Sequence, residues 1–185
     1  RDRDGSRSTV GFTTIRDYAA HATTFESSAA LGDWQPTLSE GNEPERLQGL
    51  RVSSTYFHTL GVQPALGRDF RADEDVSGAQ RVVIIGYALW QRRFGGDPSI
   101  IGKPVSIGGT PMPVVGVMPQ DFDDVTAPGA QILSSTLRQA GGPFLGDGRH
   151  RAEYLRCTFV ARSLRKLYLF GAGCGRAGPG RVSKR

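Results

Sequence analysis

A short buried strand followed directly by a helix is the strongest structural signal in this sequence. Residues 81–96 read RVVIIGYALWQRRFGG, and their β-branched run at 82–85 predicts a strand buried on both faces of a sheet. A glycine then turns the chain into a helix that carries Tyr87, Trp90 and Phe94 on one side. We interpret this aromatic stripe as core packing; a flat ligand bound by Tyr87 and Trp90 is the alternative.

The stretch PVSIGGTPMPVVGVMP, residues 104–119, predicts a β-hairpin. Apolar residues alternate with polar ones before the pair Gly108 and Gly109, which supplies a two-residue turn, and three valines return. Pro111 and Pro113 have no backbone N–H to donate. The returning strand is therefore expected to start at a sheet edge or to join the sheet late.

The other elements are shorter and are predicted from local patterns. Residues 15–22 carry apolar side chains at i, i+3, i+4 and i+7, which predicts an amphipathic helix. Further along, Ser53 or Ser54 is expected to cap a short helix that carries Phe57 and Leu60 and ends at a glycine. Strands are predicted at residues 25–31, 34–38 and 47–52, with a turn at 41–44.

Residues 95–105, GGDPSIIGKPV, resemble a phosphate-binding loop only at first sight. The Walker motif has four residues between its glycines, and a hydroxyl residue that binds Mg²⁺ follows its lysine. Here five residues separate Gly96 from Gly102. Lys103 is followed by Pro104, which has neither a hydroxyl group nor an N–H. We therefore predict a surface loop that leads into a strand near Pro104.

No other group of side chains has a recognisable catalytic or metal-binding spacing. His58 has no second ligand or nucleophile nearby in the sequence, so we interpret it as a surface or half-buried structural histidine. The acidic clusters at 73–75 and 121–124 lack the pattern of a calcium loop and are interpreted as solvated loops. Cys157 and Cys174 lack the spacing of a zinc site, and a disulfide between them is left open. The sequence predicts no catalytic, cofactor-binding or metal-ligating residue and no cofactor.

Composition argues against a membrane span and divides the chain into three parts. No apolar run approaches the length of about 18 residues that a membrane helix needs. Residues 1–133 hold 12 basic and 16 acidic side chains, whereas residues 134–185 hold 11 and 2, within a net charge of +5. We predict a charged lead-in at 1–10, a core domain at 11–127 and an Arg- and Gly-rich tail at 128–185.

Three motifs in a fixed order carry a family resemblance. V-S-x-x-Y-F-x-x-L-G-V-x-P-x-x-G-R-x-F occupies residues 52–70, Y-x-x-W-x-x-x-F-G-x-D-P-x-x-x-G occupies 87–102, and V-V-G-V-M-P-x-x-F occupies 114–122. Together they resemble the MacB-like periplasmic core domain of FtsX-type ABC transporter permeases, especially the large acidobacterial kind. A weaker likeness extends upstream to about Thr13.

The resemblance implies an extracytoplasmic α+β domain, a small mixed sheet with short packed helices, inserted between the first two membrane helices of a permease. In that family a separate cytoplasmic subunit or domain hydrolyses ATP, and the periplasmic part moves in response. The expected function is non-catalytic coupling of ATP hydrolysis to export or mechanical work, on the periplasmic side of the inner membrane. The implied partner is an ABC ATPase; a permease homodimer and a periplasmic adaptor are further candidates.

After about Ala127 the sequence departs from the family pattern. The Trp-Pro segment expected there is missing, and the change to Arg, Gly and Cys suggests a disordered tail or a truncated or frame-shifted gene copy. A basic amphipathic helix there would bind an anionic membrane surface or nucleic acid, so a small basic binding protein is the alternative function. The excess of acidic side chains in residues 1–133 argues against binding to nucleic acid. The side chains predicted to share one face of this amphipathic helix are Tyr154, Cys157, Ala161, Leu164 and Tyr168.

Overall fold

A mixed sheet with short helices is the main feature of the fold. The computed structural model describes residues 26–41, 43–76, 78–122, 128–135, 158–163 and 166–171, the last two segments as backbone. The strands are β1 (Ser27–Trp34), β2 (Thr37–Leu38), β3 (Glu45–Arg46), β4 (Gly49–Val52), β5 (Leu66–Gly67), β6 (Val83–Ile85), β7 (Pro104–Ile107), β8 (Thr110–Val117), β9 (Ile132–Ser134), β10 (Thr158–Ser163) and β11 (Lys166–Gly171). The helices are α1 (Tyr56–Leu60) and α2 (Tyr87–Phe94), with 3-10 helices at Ala72–Asp75 and Pro98–Ile100.

The strand order confirms the predicted α+β class. Among the described residues it is β11-β10-β1-β4-β9-β6-β8-β7-β2-β3, and β5 pairs with β8 beside this path. Neighbouring strands are antiparallel except β4 with β9 and β6 with β8. Compared with the predicted limits, β1 runs on to Trp34 and β2 is only two residues long. The sheet also contains three strands from the segment after residue 127, and β9 lies in its middle.

The two central strands β6 and β9 separate two hydrophobic clusters. In β6, Ile84 belongs to the cluster that contains Phe57 of α1, whereas Val83 and Ile85 belong to the cluster that contains Leu89 of α2. These three β6 side chains are 0%, 0% and 1% exposed, which confirms the strand predicted to be buried on both faces. Burial of each such side chain stabilises the folded state by roughly 1.5–3 kcal/mol.

The aromatic stripe of α2 lies at the margin of the core, not within it. Leu89 is the residue of α2 that is buried, and it sets the face that packs on the sheet. Trp90 and Phe94 are half-buried and pack against the edge of that cluster. Tyr87 instead contacts Trp90 edge to face, with ring centroids 5.6 Å apart. The predicted core packing therefore holds at the margin of the core for Trp90 and Phe94, and the half-buried Tyr87 packs on Trp90.

The predicted hairpin of β7 and β8 is confirmed. Ile107 pairs with Thr110, and Gly108 and Gly109 between them have φ values of 58° and 78°. Both angles are positive, as a type I′ turn requires, and this turn matches the right-handed twist of the strands.

The prolines of β8 lie where their missing N–H groups are not needed. Pro111 is opposite Ser106, whose own backbone groups point away from β8. The Ser106 carbonyl accepts a bond from the N–H of Ser39 at 2.9 Å, and its N–H donates to Glu40 Oε1 at 2.7 Å. On its other edge β8 pairs with β6 only from Val114 onward, so the late joining predicted from the prolines is confirmed.

The start of α1 differs from the prediction. Its N-cap residue is Thr55, which makes no side-chain capping bond, so the expectation of Ser53 or Ser54 as the cap is wrong. Ser53 Oγ accepts from the N–H of Ala30 at 3.1 Å, and the N–H of Ser54 donates to Asp75 Oδ2 at 3.2 Å. Both serines therefore join neighbouring segments to the helix start. The helix ends as predicted at a left-handed glycine.

The amphipathic helix predicted in the tail is wrong for the residues that the structure describes there. Ala161 and Tyr168 lie in β10 and β11, which pair antiparallel with each other. Both segments contain β-branched and aromatic residues, which favour strands. The predicted helix at 15–22 and both cysteines lie outside the described residues. Within the described part of the chain, no helix combines the length and hydropathy that crossing a membrane requires.

Two glycines face each other where β5 meets β8. Gly67 pairs with Gly116, and Gly67 has a φ of +79°. A Cβ atom at residue 67 would lie 2.3 Å from the carbonyl oxygen of Val115. Both the backbone angle and the close approach therefore require glycine at this position.

The substitution Gly67→Ala is expected to lower the free energy of unfolding by about 3 kcal/mol or more, because strain and a backbone clash add. Gly109→Ala is the matched control: its φ is +78°, but nothing lies within 4 Å of its Cβ position. It is expected to cost about 1 kcal/mol. Urea unfolding of both variants measures the difference, and equal losses would show that the close approach does not matter.

Candidate functional site

Three groups of charged side chains fix segments beside the sheet, and each overlaps the span of one of the family-like motifs. We call Arg68 and Glu74 the loop clamp, because they close the segment between β5 and the first 3-10 helix. We call residues 95–103 the connector, because they join α2 to β7. The pairs of Arg92 and Arg93 with Glu45 form the helix clamp.

The loop clamp is a two-bond fork between a guanidinium and a carboxylate. Arg68 Nη1 donates to Glu74 Oε2 at 3.0 Å, and Arg68 Nη2 donates to Oε1. The N–H of Arg71 donates to the same Oε2 at 2.8 Å, and Arg68 Nη1 also donates to the carbonyl of Asp69 at 2.9 Å. Bidentate pairs of this kind fix orientation as well as distance, so the loop has one favoured conformation.

The electrostatics of the loop clamp correct the prediction of a solvated acidic cluster at 73–75. Burial would raise the pKa of Glu74, but the hydrogen bonds from Arg68 and from the N–H of Arg71 outweigh it, so this pKa lies below its ordinary value. Asp75 Oδ2 accepts from Ser54, which joins the 3-10 helix to the start of α1. Of the three acidic residues, Asp73 is exposed to solvent, whereas Glu74 and Asp75 are half-buried.

A cleft of about 620 Å³ lies beside the loop clamp. Its polar lining includes the paired Arg68 and Glu74 together with Arg71. Its apolar lining includes Ile101 and Val115. Because the positive Arg68 and the negative Glu74 neutralise each other, this pair adds no net charge to the cleft.

The connector is held by bonds within itself and to α2. Trp90 Nε1 donates to the carbonyl of Asp97 at 3.0 Å. Asp97 Oδ1 accepts from the N–H of Ser99 at 2.8 Å, and Lys103 Nζ donates to Ser99 Oγ at 2.7 Å. The hydrogen bonds from Ser99 lower the pKa of Asp97 below its ordinary value. The predicted turn at Asp97 and the strand that begins at Pro104 are both confirmed.

The geometry of the connector differs from that of a phosphate-binding loop. A phosphate loop presents its glycine N–H groups at the start of a helix. Here Gly95 and Gly96 follow the end of α2 with positive φ values. The N–H of Gly96 donates to the carbonyl of Trp90 at 3.3 Å, and that of Gly102 donates to the carbonyl of Val114 at 2.8 Å. These glycine N–H groups are therefore used inside the protein.

The helix clamp joins the end of α2 to the β2–β3 segment. Arg92 Nη2 pairs with Glu45 Oε1, and Arg93 Nε lies 3.7 Å from Glu45 Oε2. Arg93 Nη2 also donates to the carbonyl of Glu40 and, at 3.1 Å, to that of Glu43. Cations at a helix C-terminus are favourable in addition, because of the helix dipole.

The remaining candidate residues are not brought together. His58 lies exposed on α1. Asp121 is also exposed, and the rest of its acidic cluster lies outside the described residues. Across the ranges that the structure describes, no three His, Cys, Asp or Glu side chains are grouped so that they could hold a metal ion.

Sequence reasoning does not identify the two clamps, and only one had a local signal. The carboxylate of Glu74 lies three residues after Arg71 and accepts from its N–H, a spacing typical of a capping box. Glu45 and Arg92 are 47 residues apart, so nothing in the sequence pattern links them.

The substitution Glu74→Gln is expected to lower the free energy of unfolding by about 1–2 kcal/mol at pH 7, because it removes the ionised acceptor of the fork. A carboxyl whose pKa is lowered by folding stabilises the folded state above its unfolded pKa, about 4.3 for Glu. This stability is lost as pH falls through the lower, folded pKa. The gap between wild type and variant should therefore close below about pH 4.3.

Urea unfolding at a series of pH values between 7 and 3 measures this gap. Asp73→Asn, which alters the exposed neighbour in the same 3-10 helix, is the matched control and should change stability little at any pH. A gap between wild type and Glu74→Gln that stays constant over the whole range would contradict the ionised fork.

Comparison with solved structures shows related folds. The extracellular domain of the noncanonic ABC-type transporter YknZ from Gram-positive bacteria has a TM-score of 0.52 at 20% identity, covering 64% of this chain and 58% of that chain. The periplasmic region of MacB from Actinobacillus actinomycetemcomitans has a TM-score of 0.52 at 19% identity, covering 67% and 60%. This chain therefore spans about three fifths of each structure, and at these identities the likeness concerns the fold.

Comparison at the level of sequence gives the family. No curated protein sequence matches the chain significantly. The family model described as "MacB-like periplasmic core domain" matches residues 3–159, which include all three motifs, the loop clamp and the connector. The chain belongs to the family of MacB-like periplasmic core domains.

Proposed function

We propose that this chain is the extracytoplasmic domain of an ABC permease and couples cytoplasmic ATP hydrolysis to export or to mechanical work outside the membrane. The domain does no chemistry of its own and lies on the periplasmic side of the inner membrane. The observation that carries the proposal is the family match over residues 3–159. An ABC ATPase is the partner that this role requires; a permease homodimer and a periplasmic adaptor are compatible with it.

The use of the motif side chains supports a mechanical role. Arg68, Trp90 and Asp97 all belong to the motifs, and each bonds within the same domain. These bonds fix the conformations of loops beside the sheet, which lies between two hydrophobic clusters. A domain fixed in this way moves as a rigid body, and rigid-body motion is one of the common ways in which proteins transmit a conformational change.

The first test is ATP hydrolysis by the purified chain. We expect no hydrolysis of Mg·ATP above the blank, and no change in Lys103→Ala, because Lys103 is engaged with Ser99 in the connector. Hydrolysis by the wild type that Lys103→Ala abolishes would mean that the connector is a nucleotide site, and the proposal would be wrong.

The second test uses the permease that carries this domain, reconstituted with its ATPase in proteoliposomes. Replacing residues 27–171 by a flexible Gly-Ser linker should abolish transport while ATP hydrolysis continues, because the coupling element is lost. Asp73→Asn in the intact permease is the control and should change neither quantity. Transport at an undiminished rate after the replacement would contradict the proposal.

A further inference from the structure

Strand β1 is bonded along both of its edges. On one edge it pairs with β10 from Ser27 to Leu31. On the other edge it pairs with β4 from Leu31 to Trp34. Each neighbour covers a different half of β1, and the two meet at Leu31. Along the edge of β1 that faces β4, the first half of β1 extends past the end of β4.

Side chains at the start of α1 complete the edge that β4 leaves open. The N–H of Ala30 donates to Ser53 Oγ at 3.1 Å, and the N–H of Ser53 donates to the carbonyl of Ala30 at 2.9 Å. Thr55 Oγ1 donates to the carbonyl of Ser28 at 2.8 Å. The segment after β4 therefore continues the bonding toward the first residue of β1.

The first and last described strands, β1 and β11, run in the same direction. The start of β1 and the end of β11 are offset from each other along the strands. Both β1 and β11 are antiparallel to β10, which lies between them. Ser27 is level with Arg162 and therefore with Leu167, whereas Gly171 lies four residues further along β11. At the usual strand dimensions, Ser27 and Gly171 are separated by about 13 Å along the strands and about 10 Å across them.

We propose that β1, held by β10, β4 and the start of α1, is a mechanical clamp that resists tension between Ser27 and Gly171. Tension between these residues pulls β1 and β11 in opposite directions along their axes. Inter-strand hydrogen bonds lie perpendicular to antiparallel strands, so sliding strains the whole ladder at once. Tension across the strands at one end would instead break the same bonds one after another.

The clamp deepens the proposed function and rests on it in one respect. If the domain transmits movement between membrane helices, tension reaches it through the chain before β1 and after β11. Because β1 and β11 run in the same direction on either side of β10, this tension pulls along the strands, which is the direction in which the sheet is stronger. The difference in strength between the two directions is a property of the fold and can be measured without the permease.

Single-molecule force spectroscopy on the full chain tests the clamp. In a background of Cys157→Ser and Cys174→Ser, handles are attached at Glu26→Cys and Gly171→Cys for pulling along the strands. The control pair, Glu26→Cys and Ser163→Cys, pulls across the strands, because Ser163 is next to Arg162, the partner of Ser27. Unfolding forces, which report the unfolding barrier, should be severalfold higher for the first pair. Equal forces, or a higher force for the control pair, would overturn the clamp.

A point variant away from the handle positions gives a second measurement. Thr55→Val removes the bond to the Ser28 carbonyl and should lower the force along the strands, while the force across them changes little. Thr110→Val, at the exposed start of β8, is the matched control and should change neither force. An unchanged force along the strands in Thr55→Val would show that α1 is not part of the clamp. Neither force measurement depends on whether the permease couples ATP hydrolysis to transport.

Discussion

Burial of the central strands β6 and β9 on both faces is the constraint on which the rest of the structure depends. A strand with apolar side chains on both sides needs a covering layer on each, and α1 and α2 supply them through Phe57 and Leu89. Charged groups are excluded from this region, because an unpaired charge there would cost several kcal/mol. Charged side chains are therefore found at loops and edges, where they hold the periphery to the sheet.

The loop clamp and the connector fix the conformations of loops at the periphery of the sheet. Hydrophobic burial stabilises the middle of the sheet but does not orient the loops, since it has no direction. The fork between Arg68 and Glu74 and the bond from Trp90 to Asp97 are directional, so each selects one loop conformation. A domain that passes movement on, as proposed, needs loops that do not absorb it.

Much of the fold could be predicted, but the bonding partners of the candidate site could not. The strand at 82–85 and the turn at Gly108 and Gly109 depend on neighbouring residues, so their patterns were sufficient. By contrast, β9 is a three-residue strand whose pairing with β4 is parallel and joins residues more than 80 positions apart. Such a strand has no periodicity of its own. The composition of the tail gave no sign of it.

By itself the sequence determined local features of this protein and its family motifs: the buried strand before α2, the glycine that ends α1 and the turn of the β7–β8 hairpin. Only the tertiary structure decided which strands are neighbours, which arginine meets which carboxylate, and that β1 is bonded on both edges. The reason is physical. Backbone conformation responds to residues a few positions away, whereas strand pairing and ion pairs depend on distances in space that the whole chain sets together.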